Sequence, residues 1–187
     1  VPYTSGETIV MGSNNGGAGT TAYYIPFISA AISQNVLWNS QVIIPTPGTI
    51  KNMYAKLNAA PGAEGKTRNY TIYLDPLGAG ARASTALSIT FENTEAAVKS
   101  DTDSFTVAAG DFIDVLATNA NTPAASDGIM VSFIFVPDTA GEYCTWMSGD
   151  AVTSATAARY NTLNSFYQAG VTSIGATSAW NAVAVTA

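Results

Sequence analysis

The 187-residue chain is 47% hydrophobic and only 11% charged, less than half the roughly 25% charged share of an average soluble protein. Thirteen acids against seven scattered cations leave a net charge of −6, which excludes the clustered basic footprint of a nucleic-acid binder. No histidine is present, so the commonest general base, the commonest metal ligand and a hydrolase triad of the usual kind are missing together.

The balance goes to Ala, Thr, Ser, Gly and Asn. Such a surface is small, neutral and polar, as in proteins that pack side by side rather than repel one another. The chain starts at Val1, so an initiator methionine or a whole leader is expected to have been removed. The dominant period is two, the signature of strands. Less marked strands are expected near 7–11 and 20–29, on either side of "GSNNGGAG". That loop lacks the Gly-Lys-Ser/Thr ending and following helix of a phosphate loop. Strands follow near 36–44 and 49–57, divided by "PTPGT". Near 69–75, "NYTIYL" sets Tyr70, Ile72 and Leu74 against Asn69, Thr71 and Tyr73. Near 86–92, "LSITFE" sets Leu87, Ile89 and Phe91 against Ser88, Thr90 and Glu92.

"FENTEAAVKSD" amounts to at most one helical turn, and "SDTDS" reads as a loop. A strand near 104–108 enters "AAGD", where Gly110 takes the positive φ of a short hairpin and Asp111 bonds turn amides. The chain returns near 111–118 with Ile113 and Val115 facing one way. "GIMVSFIFV", near 128–136, is apolar on both faces and reads as a central strand. It is far shorter than the roughly 20 residues of a membrane helix. Short strands with Gly, Pro, Asn and Asp turns between them mean an all-β, antiparallel two-sheet sandwich.

Candidate sites are few. Asp111 and Asp114 are spaced like a carboxylate pair but read as a turn residue and a solvent-facing strand residue, without the burial that catalytic pairs need. Asp101 and Asp103 in "SDTDS" are a fragment of a calcium loop whose other ligands are not visible; the plainer reading is a turn capped by carboxylates. "NYT" makes Asn69 a glycosylation sequon. Cys144, the single cysteine, reads as a buried small hydrophobe. The aromatics Trp38, Trp146, Trp180, Tyr23, Tyr24, Tyr160 and Tyr167 suit core or interface anchors. They would also suit a sugar-binding face. No cofactor or metal ligand set emerges.

The two ends of the chain are partly alike. Gly6-Glu7 matches Gly141-Glu142, "TTAYY" (20–24) matches "TAARY" (156–160), and "LWNSQVII" (37–44) matches "AWNAVAVT" (179–186). A sandwich over 1–137 is therefore expected to be followed by a C-terminal strand extension over 138–187, a partial repeat of 1–45. A few strands with one apolar face need a partner surface. The extension either adds a layer to its own domain or lies on a neighbouring subunit by strand addition. Trp180, Val183, Val185, Tyr160 and Trp38 are the expected assembly interface.

The features "PGTIKNMY", the Gly-bearing loop "APGAEGK", the alternating "YTIYL" and "FTVAAGDFIDV" after "SDTDS" span roughly residues 45–136. This stretch resembles a jelly-roll family frequent among tailed bacteriophages and related prokaryotic viruses. The resemblance implies a two-sheet jelly roll of the type also seen in C1q- and TNF-like trimers, serving in capsid decoration, tails or fibres. The C-terminal 50 residues depart from a plain single-domain member.

The function expected is that of a non-enzymatic structural protein of a virus particle, a capsid decoration or tail-associated subunit. Its partners are copies of itself, possibly as a trimer, and other virion proteins, with no nucleic acid and no membrane. The alternatives are a subunit of a secreted cell-surface filament assembled by strand donation, and a carbohydrate- or receptor-binding module.

Overall fold

The structure, a computed structural model, describes residues 7–14, 22–25, 40–124, 128–140 and 142. They form nine strands: β1 (Thr8–Asn14), β2 (Tyr23–Ile25), β3 (Val42–Ile43), β4 (Gly48–Leu57), β5 (Thr67–Asp75), β6 (Ala83–Glu92), β7 (Lys99–Val107), β8 (Phe112–Ala120) and β9 (Ile129–Pro137). The only helical element among the described residues is a 3-10 turn, Pro76–Gly78.

All pairings are antiparallel. One sheet has the order β1-β9-β4-β7 and the other β2-β8-β5-β6, with β3 also on β8. β2 and β3 occupy successive stretches of one strand position, Tyr23–Ile25 opposite Ala117–Val115 and Val42–Ile43 opposite Ile113–Phe112. Counting them together gives eight positions, four in each sheet, wound as a jelly roll. The strands expected over 20–29 and 36–44 thus contract, within the described residues, to 23–25 and 42–43. Beyond Ile43, the Ile44 amide bonds Asp111 O and the Gly110 amide bonds Ile44 O. Pro45 and Pro47, which have no amide to offer a ladder, end the pairing there.

Alternation sets the core. Tyr70 and Ile72 of β5, Leu87, Ile89 and Phe91 of β6, and Ile113 and Val115 of β8 face Ile50, Phe133 and Phe135 of the other sheet, all buried. Each large apolar side chain removed from water contributes about 1.5–3 kcal/mol. β9 is central, between β1 and β4, as its two-sided apolar pattern required. In β4 the register shifts after Lys51, where Asn52 takes φ 54°. This bulge lets Ile50 and Met53, three residues apart, both face inward.

The β6–β7 side is closed by side chains. Asp101 accepts the Ser88 amide at 2.8 Å, and Lys99 Nζ donates to Thr90 O at 2.8 Å. Both fill hydrogen-bonding positions on the edge of β6 that another chain could otherwise use. "SDTDS" is therefore not a loop but the first half of β7. Asp101 takes the Ser88 amide on one oxygen and the Asp103 amide on the other, at 3.0 Å. Neither the calcium-loop fragment nor the capped turn describes it. Among the described residues no group of three or more Cys, Asp or Glu is placed to hold a metal.

At the start of β5, Arg68 is fully buried. It donates to Asn119 Oδ1 at 3.4 Å and to the Ala124 carbonyl, tying the sandwich to the chain beyond β8. Beside it the Tyr23 and Tyr70 hydroxyls meet at 3.2 Å. Burial raises both phenols, that of Tyr70 well above its ordinary range.

Candidate functional site

The two sheets present outer faces of different chemistry. On the β2-β8-β5-β6 face the polar groups are consumed internally. Asn69 Nδ2 donates to Ser88 Oγ and Thr90 Oγ1, both at 2.8 Å, while its Oδ1 accepts from Thr71 Oγ1 at 2.6 Å. Thr71 and Ser88 are in turn 2.8 Å apart. The sequon amide is thus engaged in a cross-strand ladder in the folded chain.

Further along the same face, Arg82 clamps Asp114 with two bonds, Nε to Oδ2 at 2.8 Å and Nη2 to Oδ1 at 2.5 Å. Its guanidinium lies 3.7 Å from the Tyr73 ring centre and 5.3 Å from that of Tyr24. Asp114 is therefore not solvent-facing. It points outward, as alternation demands, but Arg82 reaches across from the β5–β6 connection and covers it completely. Burial pushes the Asp114 carboxyl above the usual carboxylate range, only partly offset by the Arg82 bonds and charge. Asp75 adds to the rise, and the Gln41 amide opposes it. Asp111 is the expected turn residue, accepting the Ala108 amide at 2.8 Å. A cluster of tyrosines beside carboxylates does exist here, but Arg82 occupies the face of Tyr73 on which a sugar ring would stack.

The outer face of β1-β9-β4-β7 differs in kind. Ile9 and Tyr54 are 45% exposed and Met130 58%, with Ile134 and Val136 half-buried beside them. The register places Ile9, Ile134 and Lys51 abreast across three strands. Glu7, the acid on this face, is bound by Lys51 at 2.9 Å. β7 adds Ser100, Thr102, Ser104 and Thr106, all exposed and uncharged. Such a face can be desolvated without stranding an acid. No catalytic constellation accompanies it among the described residues. Its chemistry suits a packing surface.

The expected interface residues Trp38, Tyr160, Trp180, Val183 and Val185 lie outside the described residues, as do Trp146, Tyr167 and Cys144. Sequence reasoning passed over Ile9, Tyr54 and Met130. The usable signal was "IMVSFIFV" itself. Apolarity on both faces marks a central strand, but when the sheet has only one core-facing side it also marks an outer face that something covers.

No protein-family model matches the chain, and no curated protein matches it. Among solved structures it is similar to the globular domain of zebrafish complement 1qA protein, at 12% identity and a TM-score of 0.41, covering 68% of this chain and 95% of that one. It is also similar to Eiger TNF from S. frugiperda, at 9% identity and a TM-score of 0.37, covering 70% and 94%. The jelly roll is assigned on the strand order itself.

Proposed function

We propose that the chain is a non-enzymatic structural subunit that works by packing against copies of itself, and that the assembly it serves is a virus particle, as capsid decoration or tail-associated protein. The observation that carries self-association is the outer face of β1-β9-β4-β7, where Ile9, Tyr54 and Met130 stand exposed around a neutralised Lys51–Glu7 pair. Exposed apolar side chains grouped on one sheet face mark an interaction surface. The virion context is supported by the resemblance of residues 45–136 alone. Trp38, Tyr160, Trp180, Val183 and Val185 are proposed as further contacts, from the extension over 138–187 and its counterpart near the start.

Sedimentation velocity over a wide concentration range tests the first point. Wild type should assemble reversibly, and Met130→Glu should stay folded yet shift assembly to higher concentration. A wild-type chain that remains monomeric throughout would remove self-association. A chain ending at residue 142 that keeps the native mass of wild type would remove the extension from the interface.

A further inference from the structure

The chain divides sharply in charge. Residues 1–142 hold twelve of the thirteen acids and six of the seven cations, a formal −6, while residues 143–187 hold only Asp150 and Arg159 and sum to zero. In the first part Glu64, Glu92, Glu95, Asp103, Asp138 and Glu142 are exposed, so a second sandwich approaching this one brings its own acids with it. The 45 residues from 143 to 187 carry apolar groups without that charge, Trp146, Tyr160, Trp180, Val183 and Val185 among them. They also contain no proline, the residue that would bar an extended segment from a sheet.

This segment lies outside the described residues, but the place where it departs is fixed. The Asp138 amide bonds Pro47 O, the Glu142 amide bonds Thr139 O at 3.3 Å, and Glu142 Oε2 accepts from Thr46 Oγ1. Its root is thereby held beside the start of β4, just beyond Val136, the last side chain that β9 presents on the outer face. That face offers Ile9, Tyr54 and Met130, with Glu7 bound by Lys51 and the exposed Lys56 opposite Met130. Its occupant must bring apolar side chains and little charge of either sign.

We propose that the outer β1-β9-β4 face receives residues 143–187 of a neighbouring copy. This rests on the self-association reading above and names the part of the second copy that meets the face. Charge selects the segment over the sandwich: the sandwich of the second copy arrives with the whole −6, the segment with one acid and one cation to place. Each chain then donates through its segment and accepts through its face. The contact is heterologous and propagates into a ring or a filament rather than closing as a two-fold dimer. The same segment folded back on its own face would cover that face and leave the chain monomeric, an arrangement the test separates.

The test uses three full-length chains: wild type, Met130→Glu in the face, and Trp180→Asp/Val183→Asp/Val185→Asp in the segment. The three segment positions fall on both sides of the alternation, so whichever side docks is charged. Assembly midpoints are measured by sedimentation velocity, with folding checked by circular dichroism. Each variant should raise the midpoint at least about tenfold, as loss of an interface anchor does. Mixed in equal amounts, the two should form a 1:1 dimer, the intact face of the segment variant receiving the intact segment of the face variant. Peroxide gives a second readout, because Met130 is 58% exposed and an accessible thioether is oxidised to its sulfoxide. Assembly should slow that oxidation in wild type and not in the segment variant at the same concentration. If Met130→Glu weakens assembly and the segment variant does not, the segment is overturned as occupant and the face stands. If both weaken assembly and the mixture stays monomeric, the crossing between copies is overturned. A monomeric wild type with Met130 protected overturns self-association and puts the segment on its own face; a monomeric wild type with Met130 reactive overturns any cover by the segment.

Discussion

Removing the Asp114 carboxylate is expected to destabilise the sandwich by about 3 kcal/mol, whereas replacing Asp114 and Arg82 together by apolar residues is expected to be nearly neutral. The Asp114 side chain is 0% exposed and that of Arg82 17%, so Asp114→Ala strands a guanidinium with little water to turn to. Breaking one half of a buried pair costs about 3–5 kcal/mol. The remaining exposure of Arg82 and its seat on the Tyr73 ring place this case at the low end. The double variant Arg82→Met/Asp114→Leu removes the desolvation of both ions along with their attraction, and should lie within about 1 kcal/mol of wild type. Urea unfolding followed by circular dichroism gives each value, and the double-mutant cycle gives the coupling. A single variant costing under about 1 kcal/mol, or a double variant as costly as both singles added, would refute the buried-pair reasoning.

The same pair fixes the sign of a pH effect. Arg82, at the mouth, holds its proton more tightly than usual because its bonds and attraction to Asp114 outweigh burial. Asp114 has no solvent at all, and there burial prevails and raises its pKa. This fully buried partner decides the direction. Its native form keeps a proton at pH values where the unfolded chain has released it. The contribution is therefore fully present below the unfolded pKa of about 3.9 and is lost as pH rises through the raised folded value. Asp114→Asn cannot titrate, so its stability relative to wild type should improve as pH climbs from about 4 toward 7. Urea midpoints across that window check this; a flat or falling difference contradicts it.

Two further substitutions probe the frame. In Gly48→Ala the new Cβ would lie 2.4 Å from Val136 O and 2.7 Å from the Phe135 ring, between adjacent strands, and the urea midpoint should drop by the equivalent of about 1–3 kcal/mol. Asp101→Ala uncovers the Ser88 amide on the edge of β6. It should cost about 1–2 kcal/mol, with faster hydrogen exchange at Ser88 than at its neighbours.

The inward half of the fold was legible because period two reports directly which residues share a face: Leu87, Ile89 and Phe91 stand in the core as alternation places them. What the outer face meets is a tertiary fact. Asp114, between Ile113 and Val115, had to point outward and does; that outward meant solvent did not follow. Arg82 comes from 32 residues earlier in the chain, and no local pattern announces it. "SDTDS" failed for another reason. An edge strand tolerates polar side chains on both sides, so it lacks the alternation that marks a half-buried strand. Asn52 hides a bulge that breaks the period inside β4.

A net charge of −6 and self-association are compatible only if the acids are kept away from the contacts. At physiological ionic strength exposed charges are screened beyond about 8 Å, so what counts is the local inventory, not the total. Asp75, Asp111 and Asp114 are buried, Asp111 on turn amides and Asp114 on Arg82. Glu7 is bound to Lys51. Glu64, Glu92 and Glu95 are exposed, in the connections at the end of β5 and β6 opposite Leu77, where Lys66 and Lys99 accompany them. Asp103 on β7 is exposed as well, and Asp138 and Glu142 are exposed beyond β9, where the Asp138 amide bonds Pro47 O and Glu142 accepts from Thr46. The outer β1-β9-β4 face, where Glu7 is bound by Lys51 and the exposed Lys56 stands opposite Met130, is the surface through which copies of this chain can meet without bringing acid against acid.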